Sequence, residues 1–173
     1  MNLETSNGAG IAPPLDMSGV RWAVDGVAKG DLEHVWEDAW GYLQGAISRG
    51  VRMGTAKPYT EAEVYRNLMR GEQQLWIGWS YDESRVVGAV LTEIFDDDKH
   101  PGRKFLSIPL VGGDHWMEWG DTMWNLLKKW GAAKGCTDAL AYGRKGWSRL
   151  YGFDQCGKTE DGVAVFIRRL KEH

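Results

Sequence analysis

The fold is decided by residues 104–142, KFLSIPLVGGDHWMEWGDTMWNLLKKWGAAKGCTDALAY. Lys104–Val111 is apolar and rich in residues that favour extended chain, which predicts a β-strand. The pair Gly112–Gly113 is expected to break that strand, because glycine weakens a strand interior. The first part of the stretch therefore predicts a strand followed by a bend.

A helix is predicted over Asp114–Lys134, because large apolar side chains recur there at helical spacing. They are Trp116, Trp119, Met123, Leu126, Leu127 and Trp130. The helix is expected to stop at Gly135, and Ala139–Tyr142 resumes an extended apolar run. This order is a β-turn-α-β unit, in which the N-terminus of the helix is a typical place for a phosphate group to bind.

Working outward, a capping box formed by Thr60 and Glu63 predicts the start of a short helix that reaches Met69. An earlier helix is expected to begin after Asp31 as its N-cap and to end at Gly50. The other predicted elements are strands at Val20–Val27, Gln74–Tyr81 and Arg85–Phe95, the last two forming a hairpin.

The carboxyl-terminal part leaves two alternatives open. Asp154–Gly162 is interpreted as a turn-rich connector before a final strand at Val163–Leu170, or the last strands form a hairpin around Asp161–Gly162. The predicted order is β-α-α-β-β-β-α-β-α-β. Antiparallel hairpins with one parallel crossover indicate an α+β fold of three layers, with a mixed central sheet and helices on both faces.

Composition narrows the classes of function. A formal net charge of −3 gives no electrostatic signature of a nucleic-acid partner. No run approaches the roughly 18 apolar residues of a membrane span, so no membrane partner is expected. Two cysteines do not make a disulfide framework and favour the cytoplasm. Ten tryptophans predict a rigid aromatic core, an aromatic interface, or both.

The Asp96–Lys104 segment has several acids, but it lacks the ligand spacing of a calcium or zinc site, so no metal is predicted.

Residues 1–18 are rich in glycine, proline and small polar residues and form a segment apart from the domain predicted over residues 19–173. One interpretation is a disordered tail, and the other is an extended arm that orders on a neighbouring subunit. The second interpretation predicts self-assembly or binding to other proteins through residues 1–18.

The element order and two motifs resemble the GNAT superfamily of N-acetyltransferases. The motifs are WGAAKGC at Trp130–Cys136, which ends the central helix, and the Gly-Phe pair at Gly152–Phe153. The run GRKGWSRL at Gly143–Leu150 further resembles GNAT-like proteins encoded by tailed phages. This second resemblance implies a protein of the host cytoplasm or of the phage virion.

The resemblance also implies where acetyl-CoA would bind in an active member. The cofactor lies between the fourth and fifth strands, and its pyrophosphate contacts a glycine-rich loop at the start of the central helix. The residues that would contact it are Leu110, Val111, Gly112, Gly113 and Gly120.

The pyrophosphate motif falls on His115–Gly120, where Glu118 occupies a position that the family gives to glycine. Two like charges about 4 Å apart repel by about 4 kcal/mol at an effective dielectric constant of about 20. Pro109 also removes one main-chain donor from the fourth strand. The loop is therefore interpreted as degenerate, and no cofactor is expected unless the protein is active.

If the protein is active, the resemblance implies a general base on the second or third strand, for which Glu93 and Asp82 are the candidates. The family's thiolate-protonating tyrosine falls on Ser148, a poor acid, so Tyr142 or Tyr151 would have to replace it. The first functional hypothesis is a phage structural or assembly protein that has lost the cofactor site. The alternative is an acetyl-CoA-dependent N-acetyltransferase acting on an unknown amine.

Overall fold

The structure is a computed structural model that describes residues 20–54 and 58–170. The strands are β1 (Trp22–Gly26), β2 (Gln74–Ser80), β3 (Arg85–Asp96), β4 (Lys104–Gly113), β5 (Asp138–Tyr142), β6 (Asp154–Lys158) and β7 (Ala164–Arg169). The helices are α1 (Leu32–Met53), α2 (Glu61–Arg70), α3 (Trp116–Ala133) and α4 (Gly146–Tyr151). The predicted arm at residues 1–18 lies outside the described residues.

The seven strands form one mixed sheet in the order β1-β2-β3-β4-β5-β7-β6. Among the strands of the described residues, only β4 and β5 pair in parallel, and α3 makes the crossover between them. One apolar core lies between the sheet and α3, and a second lies between the opposite face of the sheet and α1 with α2. The predicted α+β fold of three layers is confirmed.

Helix α3 packs close to the sheet because β2 and β3 each have a glycine beneath Trp119. A Cβ atom added at Gly78 would lie 2.9 Å from the indole of Trp119, and one added at Gly88 would lie 2.4 Å from it. The indole nitrogen of Trp119 also donates a hydrogen bond of 2.7 Å to the carbonyl of Asp114. Trp119 is fully buried and fixes the start of α3 to β2 and β3.

The predicted capping box at the start of α2 is confirmed. The hydroxyl of Thr60 accepts from the amide of Glu63 at 3.2 Å, and the Glu63 carboxylate accepts from the Thr60 amide at 3.5 Å. At the start of α1, Asp31 occupies the N-cap position without a capping bond from its side chain.

Two predicted boundaries are wrong. Helix α1 passes through the buried Gly50 and continues to Met53, where Gly54 ends it in the left-handed region at φ 69°. Gly112 and Gly113 do not break β4 but pair with Ala89 and Gly88 of β3. A Cβ atom at Gly112 would lie 2.3 Å from the carbonyl oxygen of Tyr42, so the close approach of α1 requires a glycine there.

The interpretation of Asp154–Gly162 as a connector is also wrong, and the alternative of a terminal hairpin is confirmed. Asp154–Lys158 is β6, an edge strand that pairs with β7 and has every residue exposed. Because no face of β6 is buried, its sequence shows no alternation of apolar and polar residues.

Candidate functional site

Strands β4 and β5 separate halfway along β4. They pair from Phe105 with Asp138 to Ile108 with Ala141, whereas β4 continues to Gly113. Beyond Ile108, the β5-facing edge of β4 therefore has no strand partner among residues 20–54 and 58–170. Main-chain groups on such an edge are available to hydrogen-bond a bound molecule.

A β-bulge coincides with this separation. Leu91 pairs with Leu110 and Glu93 pairs with Ser107, so Thr92 alone faces Ile108 and Pro109. The bulge reverses the direction of the side chains, since Ile108 packs in the core under α3 and Leu110 in the core under α1. Pro109 is tolerated at such a position because it has no amide to contribute to the ladder.

The gap between the strands opens into a cavity of about 360 Å³. Helix α1 forms one side, β4 forms the floor, and the start of α3, the end of β5 and α4 form the other side. The lining residues are Ala46, Arg49, Gly50, Ile108–Gly113, Trp116, Tyr142, Arg144, Gly146, Trp147 and Arg149–Tyr151. The cavity has both aromatic walls and cationic side chains.

Four of the five predicted cofactor residues line this cavity: Leu110, Val111, Gly112 and Gly113. Gly120 does not line it, because it lies inside α3 beneath the indole of Trp116. A Cβ atom at Gly120 would lie 2.5 Å from that indole. In this structure Gly120 allows Trp116 to pack, and it is not in contact with the gap.

The loop between β4 and α3 is tied to the β2–β3 turn. The amide of Asp114 donates to the carbonyl of Val87 at 2.7 Å, and the Arg85 guanidinium lies 3.5 Å from the Asp114 carboxylate. His115, at φ 59°, has its Nε2 atom 3.4 Å from Glu83 and its Nδ1 atom 3.9 Å from Glu118. Three carboxylates, Glu83, Asp114 and Glu118, therefore lie at the loop that would hold a pyrophosphate in the family, and Arg85 pairs with the first two. The excess of negative charge disfavours an anion there.

Two predicted catalytic residues meet on the face of the sheet that carries α1 and α2. Glu93 is paired with Ser107 across the β3–β4 ladder, and the hydroxyls of Ser107 and Tyr142 lie 3.1 Å apart. The Glu93 carboxylate accepts from the side-chain amide of Gln73 at 3.1 Å, and the buried Gln73 accepts from Asn67 at 3.2 Å. Glu93 is thus half-buried and held by a chain of hydrogen bonds that begins in α2.

The environment of this cluster keeps its tyrosines protonated. Burial raises the pKa of Tyr142, and the nearby Glu93 charge adds to the rise, whereas the hydrogen bond with Ser107 lowers it. Burial likewise raises the pKa of Tyr59, with further contributions from Glu93 and Tyr142. A neutral phenol beside a carboxylate provides one group that can donate a proton and one that can accept it.

Tyr151, the third predicted catalytic residue, lies on α4 at the other side of the cavity. It is buried among the rings of Trp116, Trp124 and Trp147, with ring centroids 5.8–6.3 Å away. Burial and the charge of Asp121 raise the pKa of Tyr151 to about 12. The structure therefore places Tyr151 in the aromatic core and separates it from the Glu93 cluster.

Asp82, the alternative base, lies in the β2–β3 turn and pairs with Arg21 at 2.9 Å. It belongs to the end of the hairpin opposite Glu93, so the structure does not bring it to the cluster.

Sequence reasoning did not identify Ser107 or the arginines of the cavity, Arg49, Arg144 and Arg149. Ser107 could have been noticed as a polar residue inside an apolar strand. Arg144 and Arg149 belong to the run Gly143–Leu150 quoted above, but Arg49 is far from that run in the sequence, so no local pattern shows that the three line one cavity.

Within the described part of the chain, no group of three or more His, Cys, Asp or Glu residues is placed to hold a metal ion. Among the same residues, no helix is long and apolar enough to cross a membrane.

Comparisons with known proteins place this geometry in context. No protein-family model and no curated protein sequence matches the chain. Many solved structures are similar to it, including the following three. Aminoglycoside 6'-acetyltransferase type Ii is 12% identical with a TM-score of 0.62, and the match covers 87% of this chain and 99% of that one. FeeM, an N-acyl amino acid synthase from uncultured soil microbes, is 10% identical with a TM-score of 0.63, over 87% and 91% of the two chains.

The third structure is the PaiA N-acetyltransferase from Thermoplasma acidophilum in complex with coenzyme A. It is 15% identical with a TM-score of 0.54, over 86% of this chain and 98% of that one. A further match is described as a GNAT-family acetyltransferase from Listeria monocytogenes. At these identities the likeness is one of fold. The chain therefore has the fold of the GNAT N-acetyltransferases.

Proposed function

We propose that the chain binds an acyl-CoA in the gap between β4 and β5 and transfers the acyl group to an amine. The observation that carries this proposal is the open cavity at the separation of the two strands, lined by the main chain of Leu110–Gly113. The acyl-CoA would supply an acyl unit activated as a thioester. The unpaired edge of β4 supports this proposal, because an extended pantetheine arm can hydrogen-bond to unpaired main-chain groups.

The residues beside the bulge have the chemistry that the transfer needs. The Glu93 carboxylate takes the proton that the acceptor amine loses, directly or through one water molecule. The Tyr142 hydroxyl donates a proton to the sulfur atom as it departs, since its raised pKa keeps it protonated at neutral pH. One proton is accepted and one is donated, so the two residues balance the reaction.

The positions of these groups favour Tyr142 over Tyr151 as the acid. Tyr142 follows Ala141, which is the last residue of β5 paired with β4, so it stands where the two strands part. The Ser107 hydroxyl lies 3.1 Å from the Tyr142 hydroxyl, and Glu93 is the cross-strand neighbour of Ser107.

The test is calorimetry with acetyl-CoA followed by an assay of thiol release over a panel of primary amines and peptides. We expect dissociation constants in the micromolar range and thiol release that depends on the amine. Absence of heat with acetyl-CoA and with longer acyl-CoA donors would contradict the proposal.

A second function is supported by the acidic loop between β4 and α3. Three carboxylates lie at that loop, which fits a protein that has lost acetyl-CoA binding and serves in assembly, as the resemblance of Gly143–Leu150 to phage proteins suggests. In that case residues 1–18 would contact other virion proteins or a second copy of the chain. Light scattering of the full chain and of a variant lacking residues 1–18 tests it, and an equal molar mass for the two would count against it.

A further inference from the structure

Three arginines from two separate parts of the chain line the same cavity. Arg49 lies on α1, Arg144 between β5 and α4, and Arg149 on α4. Among the described residues that line the cavity, none is an aspartate or a glutamate. In a chain with a net charge of −3, this concentration of positive charge marks the cavity as a place for an anion.

The charges of these arginines are also unpaired in the part of the chain that the structure describes. Within residues 20–54 and 58–170, none of the three forms an ion pair, although Arg21, Arg85 and Arg103 each pair with a carboxylate. All three side chains belong to exposed residues whose guanidinium groups can turn toward a ligand. Guanidinium groups bind phosphate oxygens through two parallel hydrogen bonds, which suits them to a nucleotide diphosphate.

The charge distribution on the opposite side of the gap is reversed. Asp114 lies in the β4–α3 loop, Glu118 lies in the first turn of α3, and Glu83 lies 3.4 Å from His115. Arg85 pairs with Glu83 and Asp114, so these three carboxylates outnumber the arginine that contacts two of them. An anion that followed β4 toward this loop would meet carboxylates, whereas an anion turned toward α1 and α4 would meet arginines.

We propose that the phosphate groups of the donor are held by the side chains of Arg49, Arg144 and Arg149 and not by the main chain of the β4–α3 loop. This inference rests on the proposed function, because it assigns the phosphate subsite of the same gap. It means that an arginine cluster has taken over the role of the glycine-rich loop.

The test measures coenzyme A binding by calorimetry at low ionic strength for the wild type and for R49Q, R144Q and R149Q. We expect each substitution to weaken binding about tenfold, because each removes one charge-assisted contact. The matched controls are R52Q on α1 and K145Q beside Arg144, which remove the same charge from residues outside the cavity lining. The controls should bind within about twofold of the wild type.

Pantetheine, which has no phosphate, separates contacts to the phosphates from damage to the gap. We expect the three variants to bind pantetheine as the wild type does. An equal loss of affinity for pantetheine and coenzyme A would overturn the assignment. A fall of coenzyme A affinity with added salt is expected as well, since exposed charges are screened.

Glu118→Gln supplies an independent measurement. If the arginines hold the phosphates, removing the Glu118 charge should change coenzyme A affinity by less than about threefold. A gain of tenfold or more would place the phosphates at the loop and overturn the inference. Suppose that the wild type binds coenzyme A and transfers acyl groups, and that all three arginine variants bind coenzyme A as tightly. This result would refute only the arginine assignment. A wild type that binds no coenzyme A would refute the proposed function and this inference together.

Discussion

The hydroxyl oxygens of Ser107 and Tyr142 lie 3.1 Å apart at the point where β4 and β5 cease to pair. Ser107 is fully buried and Tyr142 is half-buried, so the contact is shielded from solvent. It fixes the phenol beside the cavity and opposite Glu93, and it makes Tyr142 the first residue to test in the proposed reaction.

Replacement of Tyr142 by phenylalanine should lower kcat for thiol release by about a hundredfold, because it removes the proton donor but preserves the ring. Binding of acetyl-CoA should stay within about twofold of the wild type. Tyr65→Phe, which removes a hydroxyl from α2, is the matched control and should retain full activity.

The same residue predicts a pH profile. Because burial raises the pKa of Tyr142 above its ordinary value near 10, the acid should remain protonated throughout the range from pH 7 to 10. We therefore expect any alkaline decline of kcat to be centred above pH 10. A decline centred below pH 9 would show that another group is the proton donor.

Replacement of Glu93 by glutamine should also lower kcat by about a hundredfold, since an amide cannot accept the proton of the amine. The nearby exposed Glu72 offers a matched control, and Glu72→Gln should leave kcat unchanged. If the Glu93→Gln enzyme kept the wild-type rate, a different base or unassisted attack by the free amine would have to be considered.

Tyr151 should influence stability at alkaline pH. Its pKa is raised to about 12 in the folded protein, so between pH 10 and 12 the unfolded chain loses this proton more readily than the folded chain. The contribution is complete below pH 10, and the free energy of unfolding falls as pH rises through that window. Urea unfolding of Tyr151→Phe should give a shallower decline between pH 9.5 and 11.5 than the wild type. An identical slope would contradict this origin.

Two glycines provide opposite tests of packing. Gly88→Ala should destabilise the protein by about 1–3 kcal/mol, because its Cβ atom would lie 2.4 Å from the indole of Trp119 and 2.8 Å from the carbonyl oxygen of Gly112. Gly41→Ala, on the exposed side of α1 with no atom within 4 Å of the added Cβ, should stabilise it by about 0.5–1 kcal/mol. Urea midpoints measure both, and a neutral Gly88→Ala would mean that α3 can shift away from the sheet.

The sequence was most informative where a side chain has one local role. The capping box of Thr60 and Glu63, the apolar stripe of α3 and the stop at Gly135 follow from contacts within a few residues, and the structure has all three. The GNAT fold was identified from element order and two short motifs. The gap between β4 and β5 was predicted only from that resemblance, because no pattern of residues shows where a strand stops pairing with its neighbour.

Positions governed by distant contacts were not predictable. Gly112 is required by the carbonyl of Tyr42 on α1, and β6 exists because β7 pairs with it. Arg49 lies on α1, and only the folded chain brings it to Arg144 and Arg149. Glu93 and Tyr142 were predicted singly, whereas the serine that links them was not.

The seating of Trp119 on Gly78 and Gly88 joins three distant positions into one steric unit. A branched or even a methyl side chain at 78 or 88 needs a smaller ring at 119, and a smaller ring at 119 leaves a void that a side chain at 78 or 88 would fill. In related proteins the residues at these three positions should therefore covary, and that covariation would trace how the packing of α3 on the sheet has evolved.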